Sequence, residues 1–255
     1  MKTIYLFDVD GTLTPAKSRM DKTFAKEFHE WQEDKLVYIV SGGSFPRIIE
    51  QLGSKVVENV QGVFACMGNV YYKRREAERE WTLVYENKFK VLSRKVFFRD
   101  LTTIVNESSY HTKTGRHYEE RTGMVNLSVV GRNANQEQRS AYEEYDAGLK
   151  EREKIVSKLA HRYPELDFVV GGAVSIDIFN RGNDKSQVVT RVLKNELEER
   201  RVKFFGDRTY FPGNDYSLAE ILRNHPNGEV IAVETWEDTQ RWIKEQQCQE
   251  KKEAS

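Results

Sequence analysis

Two cysteines among 255 residues, Cys66 and Cys248, are too few for a disulfide framework, and Cys248 lies in a charged stretch near the end of the chain. Basic and acidic residues number 40 each, so the formal net charge is zero. With no surplus of either sign, nothing argues for a nucleic-acid or membrane partner. A compact anionic metabolite needs only a local cluster of positive charge. Apolar runs long enough to span a bilayer are missing, and Met1-Lys2-Thr3 leads into a short strand rather than the apolar region of a signal peptide. The expectation is a cytoplasmic protein. No internal repeat is evident, and low complexity is confined to charge-rich patches such as Lys73 to Arg79, expected to form a solvated turn or helix end. Hydrophobic residues at 38% suffice for the core of one large or two ordinary domains.

Short apolar runs alternate with amphipathic stretches in the first 80 or so residues: a helix around Phe24 to Trp31, a strand Leu36 to Val40, a strand Val60 to Ala65. This is the βαβ grammar of a parallel sheet. It returns as a helix from about Lys185 to Arg200, strands Val202 to Phe205 and Glu229 to Val233, and a closing helix carrying Trp242 and Ile243, begun by a capping box of Thr235 and Asp238. Between them, Met124 to Val130 and Val174 to Phe179 alternate like antiparallel strands with one covered face, and Gln136 to Arg162 reads as charged helix. The chain is therefore expected to be an α/β protein, with a Rossmann-like parallel-sheet core (1–84 and 184–255) and an inserted α+β cap (85–183).

The strand Thr3 to Phe7 runs into Asp8-Val9-Asp10-Gly11-Thr12-Leu13-Thr14, delivering two carboxylates to its carboxyl end, where ligands bind in α/β sheets. Asp8 is placed to attack phosphorus, and Asp10, followed by a flexible glycine, to give or take a proton. A bare Asp-x-Asp is equally an aspartate-rich turn. The full string resembles the first motif of the haloacid dehalogenase (HAD) superfamily of phosphotransferases. Three further strand ends carry suitable partners. Ser41-Gly42-Gly43-Ser44 offers hydroxyls and amides to phosphate. Lys185, in the first helical turn after Gly182-Asn183-Asp184, opposes the helix dipole, a cost offset if its ammonium meets an anion. Asp207, together with Asp8 and the backbone carbonyl of Asp10, would hold Mg²⁺, with Asn214 and Asp215 on the metal's waters.

The cap carries Glu120-Arg121-Thr122-Gly123-Met124-Val125-Asn126-Leu127-Ser128, then Gly131-Arg132, then Gln136 to Arg139, and later Gly171-Gly172 before Ser175-Ile176-Asp177-Ile178-Phe179. Period two puts Ser175 and Asp177 on one strand face, and the arginines present forks that match phosphate. These strings resemble the eukaryotic-type phosphomannomutase family over nearly the whole chain. The resemblance implies interconversion of mannose 6-phosphate and mannose 1-phosphate for GDP-mannose synthesis, action on glucose phosphates, Mg²⁺, a hexose 1,6-bisphosphate activator and a homodimer formed through the caps. It implies Asp8 as nucleophile, Asp10 as acid and base, Ser44 (a better match than Ser41) and Lys185 as phosphate ligands, and Asp207 as metal ligand. Lys17, Arg121, Arg132, Arg139, Ser175 and Asp177 would hold the substrate. The chain departs from the family pattern at Lys17, where an arginine is usual, at Cys66-Met67-Gly68, at Asn183, and across Tyr216 to Asn227. A sugar-phosphate phosphatase of the same fold and a non-catalytic phosphosugar-binding dimer remain as alternatives.

Overall fold

A strand as uniformly apolar as Ile4–Phe7 has to be covered on both faces. It lies inside a seven-stranded sheet in the computed structural model, which describes residues 2–74 and 80–253. In chain order β1 (Ile4–Phe7), α1 (Lys22–Gln32), β2 (Leu36–Val40), α2 (Phe45–Leu52), α3 (Ser54–Val57) and β3 (Gly62–Ala65) precede a hairpin of β4 (Val70–Arg74) and β5 (Trp81–Glu86). Then come α4 (Arg94–Glu107), β6 (Tyr118–Arg121), β7 (Met124–Leu127), α5 (Gln136–Leu149), α6 (Glu151–Arg162), β8 (Leu166–Gly171) and β9 (Ser175–Asn180). The chain returns through a π turn (Val188–Val192), α7 (Lys194–Glu199), β10 (Val202–Gly206), α8 (Tyr216–Arg223), β11 (Gly228–Ala232) and α9 (Trp236–Glu253). The large sheet, ordered β11-β10-β1-β2-β3-β4-β5, is parallel as far as β3 and antiparallel through the hairpin. The small sheet, β6-β7-β9-β8, is antiparallel throughout. The architecture is thus an α/β core with a second, α+β cap layer.

Alternation along β1 fixes where its carboxyl end falls. Phe7 stacks on Phe205 at 4.5 Å, and Tyr5 meets Trp31 edge-on at 4.9 Å, on the face covered by α1 and α9. Ile4 and Leu6 face the opposite way, into Val188, Leu193, Leu197, Leu218 and Leu222. Each such buried side chain contributes about 1.5–3 kcal/mol, and a one-residue slip would reverse both faces. The register is therefore pinned, and Asp8 follows immediately, its N–H donating to the Phe205 carbonyl at 2.9 Å. On α1, Phe24, Phe28 and Trp31 form the buried stripe, and the Asp21 carboxylate caps the helix by accepting from the N–H groups of Thr23 and Phe24 at 2.8 and 3.0 Å.

The structure departs from the sequence reading in several places. The core sheet is mixed rather than purely parallel, and β5 carries it through Glu86, past the boundary expected after residue 84. Lys73 and Arg74 lie on β4, not in a turn, while 75–79 fall outside the described residues. The strand from Met124 stops at Leu127, ahead of a turn in which Gly131 takes φ 88°. The stretch from Gln136 to Arg162 is two helices broken at Lys150, whose left-handed backbone (φ 55°) ends α5. Lys185 sits in a turn, not in a helix, and the following segment is a π turn before α7. Val188, Val189, Thr190 and Val192 explain this: β-branched side chains crowd the preceding turn and lower helix propensity. α2, α3, β4, β5, α4, β6, β8 and α8 are the elements that the periodicity did not single out.

Candidate active site

Strand ends from both sheets face one cavity. From the core come Asp8, Asp10, Lys17, Ser41, Gly42, Gly43, Arg47, Asp207 and Asn214; from the cap come Arg121, Asn126, Arg132, Arg139, Ser175 and Asp177. The two layers touch across it: Arg121 donates to the Gly42 carbonyl at 2.5 Å, and Asn214 to Asp177 Oδ2 at 3.5 Å.

On the core wall Asp8 is 5% exposed, and its Oδ1 accepts from Lys185 Nζ at 2.6 Å. The same ammonium donates to Asp215 Oδ1 at 2.6 Å, and Asp215 Oδ2 accepts the Arg208 N–H at 3.1 Å. These two carboxylates keep Lys185 charged, raising its pKa although burial opposes this. Burial pushes Asp8 well up, with Lys185 opposing and Asp215 and Asp207 adding to the shift. Asp207 is pushed up to about 7 by burial and by Asp215. Gly11 makes room for Asp207: its φ is 86°, and a Cβ there would stand 2.6 Å from Asp207 Oδ2.

Carboxylate oxygens of Asp8, Asp207 and Asp215 can all lie within 4.8 Å of one another. Three carboxylates stand against the Lys185 ammonium and the Arg208 guanidinium, whose Nε lies 3.4 Å from Asp207 Oδ2, so one negative charge stays uncompensated, and every metal-donor atom is a hard oxygen. Among the described residues the Asp10 carbonyl accepts no backbone hydrogen bond, since the loop pairs Gly11 N–H with Thr14 and Thr14 N–H with Val9. The residues present fit an oxygen-loving divalent cation such as Mg²⁺. Asp215 stands in the carboxylate cluster, with both of its oxygens already accepting, from Lys185 and from the Arg208 N–H.

The Asp10 side chain is held from two directions. Lys17, with φ 59°, brings its N–H to 2.5 Å from Asp10 Oδ1, and Gln51 Nε2 donates to the same oxygen at 2.9 Å. Burial, followed by the charges of Arg132, Arg139, Arg47 and Arg121, pushes the Lys17 ammonium down to about 7.

The cap wall is organised by one carboxylate. Glu119 pairs with Arg121 at 2.7 Å and also with Arg132; burial would raise its pKa, but the two arginines hold it below the usual value. Arg132 also donates to Asn126 Oδ1 at 2.6 Å, and Asn126 Nδ2 to Asp177 Oδ1 at 2.7 Å, across a register that pairs Asn126 with Asp177. Ile176 and Ile178 point into the cap core instead. Arg139 rides on α5, whose start is fixed by a capping box of Asn135 and Gln138.

The cavity thus gathers Asp8, Asp10, Lys17, Arg121, Arg132, Arg139, Ser175, Asp177, Asp207 and Asn214, while Lys185 and Asp215 stand directly behind Asp8. Ser44 is not on the wall; it is the N-cap residue of α2, and Ser41 occupies the wall in its place, accepting the Gly43 N–H at 3.0 Å. Arg47, Gln51 and Asn126 were not singled out from the sequence. Asn126 lay in a quoted string, but nothing in its spacing announced the bond to Asp177. Cys66 and Met67 both have positive φ and are buried; burial pushes the Cys66 thiol up to about 11, and the Met67 sulfur lies 3.9 Å from Asn214 Nδ2. Asn183 contributes its carbonyl, which accepts from Asn69 at 3.1 Å.

Among solved structures the fold is similar to the N-terminally truncated, IMP-bound IMP-nucleotidase of Plasmodium falciparum (TM-score 0.61, 14% identity, 95% of this chain and 67% of that one). It is also similar to a haloacid dehalogenase-like hydrolase from Bacteroides thetaiotaomicron (TM-score 0.56, 13% identity, 96% and 99%). At such identities the likeness concerns the fold alone. In sequence, the phosphomannomutase of Spinacia oleracea is 36% identical over 220 residues (84% of this chain, 85% of that protein). Those of Dendrobium officinale and Saccharomyces cerevisiae are 34% and 32% identical over 226 and 222 residues, 86% and 85% of both chains respectively. The eukaryotic phosphomannomutase family model matches residues 24–248, a span that begins after the Asp8 and Asp10 pair and includes the whole cap. The chain belongs to the eukaryotic phosphomannomutase family.

Proposed function

We propose that the protein is a phosphomannomutase, interconverting mannose 6-phosphate and mannose 1-phosphate through an aspartyl-phosphate on Asp8 and a hexose bisphosphate intermediate. One observation carries the reading: a carboxylate pair, the buried Asp8 and the half-buried Asp10, shares a cavity with the arginines Arg121, Arg132 and Arg139 of the opposite wall. One end of that cavity suits phosphoryl chemistry and the other a phosphate that does not react.

Lys185 occupies Asp8 Oδ1, so Oδ2 is the oxygen available to attack phosphorus. In the charged enzyme, Asp8 bears the phosphoryl group received from a hexose 1,6-bisphosphate activator. A sugar hydroxyl attacks that phosphorus, Asp10 accepts the hydroxyl proton, the bond to Asp8 Oδ2 breaks, and a bisphosphate is formed. After the sugar turns end for end, Asp8 takes the other phosphate while Asp10 returns the proton to the departing oxygen. Gln51 and the Lys17 N–H hold one oxygen of Asp10 throughout. Mg²⁺, held by Asp8, Asp207 and the Asp10 carbonyl with Asp215 and Asn214 beside it, would neutralise phosphate charge and orient the reacting group. Arg121, Arg132, Arg139, Ser175 and Asp177, with Lys17 from the core, grip the idle phosphate and the sugar. Ser41 and the amides after it line the reacting end, the place expected of Ser44. Contact between the walls keeps water from the aspartyl-phosphate.

The same proposal includes cap residues 85–183, a homodimer through the caps, action on glucose phosphates and a place in GDP-mannose synthesis in the cytoplasm. No helix among the described residues is long and apolar enough to cross a membrane. The test is to incubate the protein with mannose 1-phosphate, Mg²⁺ and a trace of glucose 1,6-bisphosphate, following mannose 6-phosphate and inorganic phosphate separately. Isomer supports the mutase; phosphate release without isomer would leave a phosphatase, and neither product a binding module.

A further inference from the structure

The core wall sends two cationic side chains towards the cap arginines. One is Lys17, a point charge without a fork. The other is Arg47, in the first turn of α2 and half-buried on the cavity wall. Its Nε donates to Gln51 Oε1 at 3.4 Å, and the opposite end of that amide is the donor to Asp10, so Gln51 presents a fixed face to each. Among the described residues this is the only side-chain hydrogen bond of Arg47, and no ion pair joins it, whereas Arg121 and Arg132 share Glu119. Its charge is felt by Lys17, Glu119, Arg132 and Arg139, which places it within the cap's positive cluster although it belongs to the core.

A half-buried guanidinium surrounded by other cations is unfavourable until an anion completes the group. Its two terminal nitrogens offer the parallel donors that match a phosphate dianion. Resting on the reading of this cavity as a hexose-phosphate site, we propose that Arg47 is a direct ligand of the phosphate distal to Asp8, supplying from the core the fork that Lys17 cannot. The idle phosphate is then gripped by core and cap together. Binding it draws the walls closed, and specificity for a second phosphate depends on both layers.

Two variants test this, Arg47→Met and Arg47→Lys, with glucose 1,6-bisphosphate binding measured by calorimetry and mannose 1-phosphate turnover measured alongside. Losing one charge-assisted contact should weaken bisphosphate binding and raise KM by about 10-fold or more, with Arg47→Lys recovering only part of the loss. The ligand-free melting temperature of Arg47→Met should be equal to or above that of the unaltered protein, because a repelled charge has been removed. A melting temperature that falls while bisphosphate affinity stays unchanged would show a structural role and overturn the proposal. If the unaltered protein binds the bisphosphate yet yields no isomer, the mutase reading fails while a persisting affinity difference in Arg47→Met still supports Arg47 as a phosphate ligand.

Discussion

The two walls of the cavity solve opposite electrostatic problems. The core wall has three clustered carboxylates against one buried ammonium and the half-exposed Arg208 guanidinium, with Lys185 and Asp215 each 0% exposed. The cap wall has several arginines against two carboxylates, Glu119, whose side chain is 37% exposed, and the buried Asp177. Surplus negative charge in the core calls for a cation, and the Lys185 ammonium holds one oxygen of the nucleophile. Surplus positive charge in the cap calls for an anion. Chemistry is thus built beside the carboxylates, and recognition beside the arginines.

The strongest way to break this comparison is to remove a core carboxylate. Asp8→Asn should abolish turnover altogether, and undiminished isomer formation would sink the assignment. Asp10→Asn should slow turnover by about 10²–10⁴-fold, the usual yield of a positioned proton-transfer group, with hexose phosphate affinity nearly unchanged by calorimetry. On the cap side the expected pattern is reversed. Arg132→Met should raise KM by about 10–100-fold for the loss of charge-assisted bonds, with a smaller effect on kcat; a pure kcat effect would contradict the division of labour.

Metal removal sharpens the core side. Without a cation, the folded pKa of Asp207 is about 7 against 3.8 when free, so its protonated form is favoured by folding. That contribution is complete below the free value and is lost as pH rises through about 7. A chelator should therefore lower the melting temperature more near pH 8 than near pH 5, and Asp207→Asn should flatten the difference; scanning calorimetry measures both. Saturating Mg²⁺ at a hundredfold excess over Kd adds about 2.7 kcal/mol. The smallest effect belongs to the cap scaffold: Asn135→Ala removes the α5 cap beneath Arg139 and should cost about 0.5–2 kcal/mol in denaturant titration, with kcat little altered.

Much of this was legible in the primary structure, for identifiable reasons. Asp8 and Asp10 follow a strand whose two faces are both apolar, so the end of that strand could be foreseen. Arg121, Arg132 and Arg139 stand in strings close enough to a known family to be read as a group. Arg47 and Gln51 were invisible because their significance depends on one turn of α2 lying against the loop that holds Asp10, 41 positions before Gln51. Ser44 was preferred to Ser41 by motif alignment, yet Ser41 closes β2 on the cavity and Ser44 begins the next helix. The break at Lys150 and the π turn after Gln187 were missed because a charged, imperfect stripe and a valine-rich run both still read as helix by periodicity, which does not see backbone sterics.

The sequence by itself determined the α/β core, the inserted antiparallel layer and the order in which carboxylates and arginines are delivered, because local periodicity and burial dictate where strands end. Only the tertiary structure decided that Lys185 is clamped between Asp8 and Asp215, that Asp215 joins the carboxylate cluster, and that Arg47 lines the same cavity as the cap arginines. Those facts depend on distances between segments far apart in the chain, and a charged side chain takes its partner from whatever the packing of the two sheets brings within a few ångströms.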